Sequence, residues 1–343
     1  MVRWIALTAA AAYAAAFVVW RLALLSPLVE EHWQLQVSQL LGAWAYVPLL
    51  LFLPVAALLR PKWALVALAA PAVLFLAEYG GQFLPNWRPL YADEGSRPVR
   101  VMTWNAFMGH EWDPDAVTEI RRLDPDVLVL QEVGYNMVSD LETTLADLYP
   151  HQVLRLGGGR ASLSILSKHP ILAQDSSAGA DGCMCQQVTL DVDGRPITLI
   201  NVHMWSPAIQ FRYGRRGQYY RTPRLTGFDA RYQDAAFGQL LKRIDAVEGP
   251  LLVLGDFNTT EPQPNYRRLS ARMDNVHAAV GWGPGYTWPN SIDWWDWQVP
   301  PVIRIDHIFF SETWQPRTVH TGTLAGSDHR YVIADLSLKD VER

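Results

Sequence analysis

Asp256 and Asn258 stand two apart in VLGDFNTT, residues 253–260, where a buried-looking apolar run turns polar. A helix N-cap accounts for one such residue, because Asp and Asn accept hydrogen bonds from the unpaired N–H groups of a first turn. It does not account for both. Similar endings recur along the chain. Asn105 ends VRVMTWN, Gln131 and Glu132 end DVLVLQE, and Asn201 and His203 end ITLINVH. Asp306 and His307 interrupt IRIDHIF, and Asp328 and His329 follow Ser327 just before the final apolar run. Taken singly, each is ordinarily a solvated loop residue, a packed imidazole or a turn cap. Taken together they are a set, because strand ends converge in a sheet and such groups can line one cleft. Carboxylates, amides and neutral imidazoles suit a hard divalent cation and a water, and no soft thiolate set accompanies them. A cation held this way can clamp a phosphoryl oxygen while a carboxylate or histidine positions the attacking water. The chain has neither a glycine-rich phosphate loop nor a serine nucleophile elbow.

The elements that must position these groups begin near residue 97. VRVMTWNA reads as a strand and DPDAVTEIRRL as a helix with an Asp-Pro start. DVLVLQEV is an almost unbroken apolar run, the pattern of a strand covered on both faces. SLSILSKHPI reads as one strand, and QQVTLDVDGRPITLINVHM as two strands around an Asp193-Gly194 hairpin turn. Asp229 to Val247 is expected to be helical, followed by the strands LLVLGDF, IRIDHIFFS and YVIADLSL. The expectation is a mixed α/β catalytic domain over residues 99–340 with two sheets packed face to face. YADEGSRPVR, residues 91–100, reads as a polar linker, whose expected bounds are 81–98.

The first eighty residues have another composition. Trp4 to Trp20 and Leu40 to Leu59 are uncharged, and the shorter run Trp63 to Ala77 is interrupted by Pro71. About twenty apolar residues cross a bilayer, and Trp4, Trp20, Trp63 and Tyr79 at the edges suit interfacial belts. Residues 1–80 are therefore expected to be a multi-pass transmembrane region of three helices, with two as the alternative. A cleaved signal peptide lacks a convincing cleavage site here. Arg3, Arg60 and Lys62 place the N terminus and the 60–62 loop in the cytoplasm by the positive-inside rule, which puts the catalytic domain outside.

With 343 residues and a net charge of −5, the chain as a whole makes no electrostatic case for nucleic-acid binding. Its two cysteines, Cys183 and Cys185, are too few for a zinc site of the usual kind. Their spacing on a strand disfavours a relaxed disulfide, so they read as small buried side chains.

In this order, TWN, LQE, NVH, GDFN, RIDHIF and GSDH resemble the endonuclease/exonuclease/phosphatase superfamily, over about Val99 to Leu338. The resemblance implies a four-layer α/β sandwich and Mg2+-dependent cleavage of phosphoester bonds, with Mn2+ as an alternative ion. Glu132 resembles the main metal-binding carboxylate, with Asn105 beside it and Asp328 near the metal. Asp256 would orient or deprotonate the water, Asn258 would hold a phosphate oxygen, and His203 would hydrogen-bond the scissile phosphate. Asp306 would pair with His329, fixing its tautomer and raising its basicity. Where some members carry a second acidic or amide residue, this chain has Phe107, which puts a second tight metal position in doubt.

Two stretches bear on the substrate. Residues 212–231 hold six arginines, three tyrosines and one acid, among them Arg212, Arg215, Arg216 and Arg221. Arginine forks bind phosphates and tyrosines stack on bases, so this could be a nucleic-acid groove, a lipid-headgroup site or a solvated loop. Residues 287–301 hold four tryptophans, which if exposed would suit a bilayer interface or a stacking platform. The expected partners are a phosphoester substrate, nucleic acid or lipid headgroup, and the bilayer. No protein partner is legible. An anchored nuclease, a lipid phosphodiesterase and an inactive binding homologue are the three readings. The intact polar set argues against the last.

Overall fold

The structure, a computed structural model, describes residues 1–84, 97–107, 114–155, 162–175, 182–212, 224–290, 292–294 and 297–339. The chain divides into two compact units, one of Met1–Leu84 with Ala208–Asp229, the other of Pro85–Pro207 with Ala230–Arg343. Most of the expected linker, and the arginines at 215, 216 and 221, lie outside the described residues.

The N-terminal unit contains α1 (Val2–Leu24), α2 (Leu28–Glu31), α3 (Trp33–Leu40), α4 (Leu49–Leu59) and α5 (Lys62–Tyr79). Three segments, Arg3–Leu24, Gly42–Leu59 and Lys62–Phe83, are long and apolar enough to cross a membrane. The third run is longer than its sequence suggests, because α5 continues through Pro71. The second, by contrast, is a 3-10 turn over Gly42–Tyr46 followed by α4, which contains Pro54. Ala10, Ala14, Ala56 and Ala64 let the helices approach, and Leu7, Phe17, Leu49 and Leu68 fill the seam. Leu22, Leu50, Leu51, Leu58, Val66, Val73 and Leu76 face outward. At one end Arg3 donates to the Leu59 carbonyl. At the other, Glu78 on α5 accepts from Arg21 on α1 and from the Tyr46 hydroxyl at 2.7 Å.

The larger unit carries α6 (Pro114–Leu123), α7 (Tyr135–Thr144), α8 (Arg231–Asp245), α9 (Pro264–Ser270) and α10 (Val276–Val280). The chain's strands begin with β1 (Val99–Asn105), β2 (Val127–Gln131), β3 (His151–Arg155), β4 (Leu163–Ser167), β5 (Ile171–Gln174), β6 (Cys185–Val192) and β7 (Arg195–His203). Next come β8 (Ala208–Arg212) and β9 (Arg224–Asp229), which pair as a hairpin in the N-terminal unit. The rest are β10 (Leu251–Asp256), β11 (Asp274–Asn275), β12 (Ile292–Trp294), β13 (Trp297–Val299), β14 (Asp306–Phe310), β15 (Trp314–Thr323) and β16 (Arg330–Leu338). One sheet has the order β15-β16-β1-β2-β4-β3 and the other β11-β14-β10-β7-β6-β5.

Alternation along each strand builds the layers. Val99, Val101, Val127, Val129, Leu199, Leu252, Leu254 and Ile308 fill the space between the sheets. Their neighbours Met102, Trp104, Leu128 and Leu130 point the other way, onto Ile120 of α6 and Leu141 of α7. Ile200, Val202 and Val253 point onto Phe237, Leu240 and Ile244 of α8. The result is the four-layer sandwich, helices outside two mixed sheets, and it explains why DVLVLQE shows no polar alternation.

Several local expectations are revised. SLSILSKHPI is two strands, β4 in one sheet and β5 in the other, and the break at Lys168–Pro170 is where the chain changes sheets. Asp229 ends β9, and the helix starts at Arg231. β15 and α7, unrecognised in the sequence, are an edge strand and an outer helix. Cys183 and Cys185 are buried as expected but are joined in a disulfide. Met184 between them takes φ 55°, so the chain turns there and brings the Cα atoms to 5.3 Å, within disulfide range.

Candidate active site

Strand parity carries the polar set to one place. On β1, β7 and β10 the inward positions run Val99, Val101 to Asn105; Ile197, Leu199 to His203; and Leu252, Leu254 to Asp256. β10 runs parallel to β7 with Asp256 opposite His203, and β1 runs parallel to β2 with Asn105 opposite Gln131. The C-terminal ends of these strands therefore coincide. Asp306 arrives differently. It opens β14 rather than interrupting it, and the antiparallel pairing of β14 with β10 sets Asp306 directly opposite Asp256.

The side chains meet over short distances. Asn105 Nδ2 lies 3.0 Å from Asp256 Oδ2 and 3.4 Å from Glu132 Oε1, while its Oδ1 accepts the Phe107 N–H at 3.0 Å. Asn105 thus presents its amide nitrogen to two carboxylates. Asn258 donates both its backbone N–H and its Nδ2 to Asp256, at 2.9 and 3.0 Å, and Nδ2 also reaches the Met204 carbonyl at 3.0 Å. His203 Nε2 lies 3.4 Å from Glu132 Oε1 and 3.7 Å from Asp256 Oδ2. His329 Nδ1 contacts both oxygens of Asp306, and its Nε2 lies 3.9 Å from Asp256 Oδ2 and 3.9 Å from Asp328 Oδ1.

Backbone conformation helps aim these groups. Glu132 and Asn258 take φ 52° and 49°, a region non-glycine residues enter at a cost, and such residues cluster at functional sites. Gly255, just before Asp256, is the residue expected from the sequence to make the turn, but it is not the turn itself. It lies within β10 at φ 146°, where a Cβ would sit 2.0 Å from the Val202 carbonyl oxygen. Glycine is required there for close strand approach, and the turn falls at Asn258. No helix begins at this point, since α9 starts only at Pro264.

Burial and neighbouring charge set the protonation states. Burial of Asp256, with the Asp306 carboxylate nearby, pushes its pKa up to about 6 against the pull of His329 and His203. Burial alone would lower His329, but the charge and hydrogen bond of Asp306 outweigh it and raise the imidazole to about 10. At neutral pH His329 is therefore a cation with both ring nitrogens protonated.

Some residues flagged by the sequence serve elsewhere. Gln131 and Asn201 join the two sheets, Gln131 Nε2 donating to Asn201 Oδ1 at 2.8 Å. His307 points to the opposite face of β14, packed among Phe257, Tyr266 and Phe309, with Nε2 2.9 Å from the Thr259 carbonyl. Trp288, from the tryptophan stretch, donates to Asp328 Oδ2 at 3.1 Å. The backbones of β12 and β13 form a hairpin, and the side chains of its tryptophans lie outside the described residues. Arg212 ends β8 in the N-terminal unit; its side chain is likewise outside the described residues.

Other contributors went unnoticed. Ser327 Oγ donates to the Asn105 carbonyl at 2.6 Å and accepts the His329 N–H at 3.0 Å, so it ties the Asp328 loop to the end of β1. Thr287 Oγ1 accepts from the Ile305 and Asp306 N–H groups at 3.2 Å each. The serine of GSDH was a visible signal; the lone threonine was not.

Asp256, Asp306 and His329 bring ligand-type atoms within 4.8 Å of one another. With the imidazole protonated, the two carboxylates are the members of this group that could face a metal ion, and His329 would have to lose its Nε2 proton to join them. Asp328 Oδ1 is a buried oxygen without a hydrogen-bond partner beside them, as a site built for a cation would have. These carboxylate oxygens fit a hard divalent ion.

The model of the Endonuclease/Exonuclease/phosphatase family matches residues 102–329, a span that contains every site residue from Asn105 to His329. The chain belongs to this family. Among solved structures, the family member from Bacteroides vulgatus matches with a TM-score of 0.53 at 18% identity, over 71% of this chain and 100% of that chain. The family member from Beutenbergia cavernae matches at 0.50 and 20% identity, over 71% of this chain and 72% of that chain. A functionally unknown conserved protein from Enterococcus faecalis V583 matches at 0.51 and 18% identity, over 70% and 100%. At such identities these endonuclease/exonuclease/phosphatase structures speak to the fold alone. No curated protein matches the sequence.

Proposed function

We propose that the chain is a membrane-anchored, divalent-metal-dependent phosphoesterase that cleaves phosphodiester bonds with an activated water. The observation carrying this reading is the convergence of Asp256, Asp306 and His329, with Glu132, His203, Asn258 and Asp328 around them. Glu132 and Asp328 would hold a Mg2+ or Mn2+ ion, with Asn105 spacing the carboxylates. When bound, such a cation draws charge from a phosphoryl oxygen and makes water easier to deprotonate. Asp256, whose burial beside Asp306 raises its proton affinity, would take the water's proton. His203 and Asn258 orient the phosphate. His329, held cationic by Asp306, offers its Nε2 proton to the charge that develops on the phosphoryl group or leaving oxygen.

Strand β9 of the inserted hairpin lies against α3, which falls between the first two apolar helices. Chain on either side of two crossings shares one face of the membrane, so this contact supports three spans over two. Arg3, Arg60 and Lys62 gather at the other end of the bundle, which supports an extracytoplasmic catalytic unit.

The test is Mg2+-dependent turnover by the full chain in nanodiscs. The chain must stay whole, since the hairpin 208–229 packs with the N-terminal helices. Duplex DNA and mixed phospholipid and sphingolipid bilayers would be offered separately. Turnover that is lost on adding chelator, and lost in Asp256→Ala without loss of folding, is expected. Full turnover by Asp256→Ala would sink the site. DNA cleavage alone would make the chain an anchored nuclease, and silence on both substrates would favour an inactive homologue.

A further inference from the structure

Two exposed aromatic rings stand where the chain passes between its units. Trp205 is 39% exposed and lies three residues before the hairpin begins at Ala208; Tyr232 is 74% exposed and lies three residues after it ends at Asp229. Their ring centroids are 6.2 Å apart. On α8 the side packed into the core is Ala236, Phe237, Leu240 and Ile244, and Tyr232 is left outside it. Trp205 is also the first residue past the site. Met204 before it donates its N–H to the Asp256 carbonyl at 2.8 Å and accepts from Asn258 Nδ2 at 3.0 Å.

Trp and Tyr combine an apolar body with a polar tip, which is why they settle at the headgroup level of a bilayer. Both rings are covalently within a few residues of a hairpin whose strand β9 lies against α3, between two apolar helices. We infer that Trp205 and Tyr232 seat the catalytic unit in the headgroup layer of a phospholipid bilayer. A phosphodiester carried by a membrane lipid then reaches His203 and Asp256 without leaving the membrane. The choice of substrate rests on the phosphodiesterase reading; the docking contact does not.

The experiment uses the full chain in nanodiscs of phosphatidylcholine and phosphatidylglycerol. Cys183 and Cys185 are paired and buried, so Tyr232→Cys supplies the one reactive thiol for a fluorescent label. Headgroup nitroxide on the phosphatidylcholine should quench that label, and aqueous iodide should not. Quenching by iodide alone overturns the docking contact. In parallel, Trp205→Ser with Tyr232→Ser is compared with the unaltered chain on bis(p-nitrophenyl) phosphate and on sphingomyelin-containing bilayers. Lipid turnover should fall about tenfold, the loss of one or two interfacial anchors, with the soluble diester unaffected. An equal loss on both makes the rings merely structural and overturns the proposal. Wild-type cleavage of the soluble diester with none of the lipid overturns the substrate while leaving the phosphodiesterase reading intact. Cleavage of neither overturns that reading and the substrate with it, and quenching alone then decides the docking contact.

Discussion

His329 Nδ1 lies 3.0 Å from Asp306 Oδ2 and 3.2 Å from Oδ1, across 23 residues of sequence. Both residues are buried, so the imidazolium has no water to replace a lost partner. Asp306→Asn keeps the shape and removes the charge. Turnover is expected to fall by about 10²–10⁴-fold, the scale seen when a histidine loses its orienting carboxylate. Steady-state kinetics beside a thermal unfolding curve would separate this from loss of fold. A variant retaining full turnover would show that His329 needs no charged partner.

Metal affinity should depend on pH through Asp256. Its folded pKa is raised to about 6, so below that value a cation must displace a proton. Affinity is therefore highest above pH 6 and declines as pH falls through it, by up to about tenfold per unit for one displaced proton. Titration of Mn2+ by calorimetry at pH 7.5, 6 and 5 measures this. A pH-independent dissociation constant would remove Asp256 from the set of groups that feel the ion.

Gly255→Ala tests the close approach of β10 to β7. The new Cβ would meet the Val202 carbonyl oxygen at 2.0 Å, and φ 146° is unfavourable for any L side chain. Backbone must shift, at a cost of about 2 kcal/mol or more. Because Asp256 is the next residue, a shift there misaligns the site. Lower thermal stability together with lower turnover is expected, and an unchanged melting curve would show that the sheet accommodates a methyl group.

Much of the catalytic unit was legible because it is written locally. Alternation along β1, β2, β7 and β10 announces buried strands, and Asp193-Gly194 announces its hairpin, where both residues take positive φ. What misled was also local. Asp306 inside IRIDHIF looked like a mid-strand interruption, since the start of β14 depends on pairing with β10, a strand some fifty residues away. Gln131 and Asn201 looked like site residues because strand-end position does not reveal depth. Asn201 lies two residues deeper than His203 on the same face and spends its polar atoms on joining the sheets. The disulfide escaped because an extended strand was assumed through Met184, whose positive φ is a property of the folded backbone.

By itself the sequence determined three apolar segments, a strand-rich domain after residue 97, and the chemical identity and order of the polar groups at strand ends. These follow from hydrophobic periodicity and residue type, which need no partner. Only the tertiary structure decided which of those groups meet, that β9 leaves the catalytic unit to lie against α3 of the N-terminal unit, and that Trp205 and Tyr232 stay exposed where the chain leaves. Those outcomes depend on strand register and on which surfaces bury one another, relations between segments far apart that no local pattern encodes.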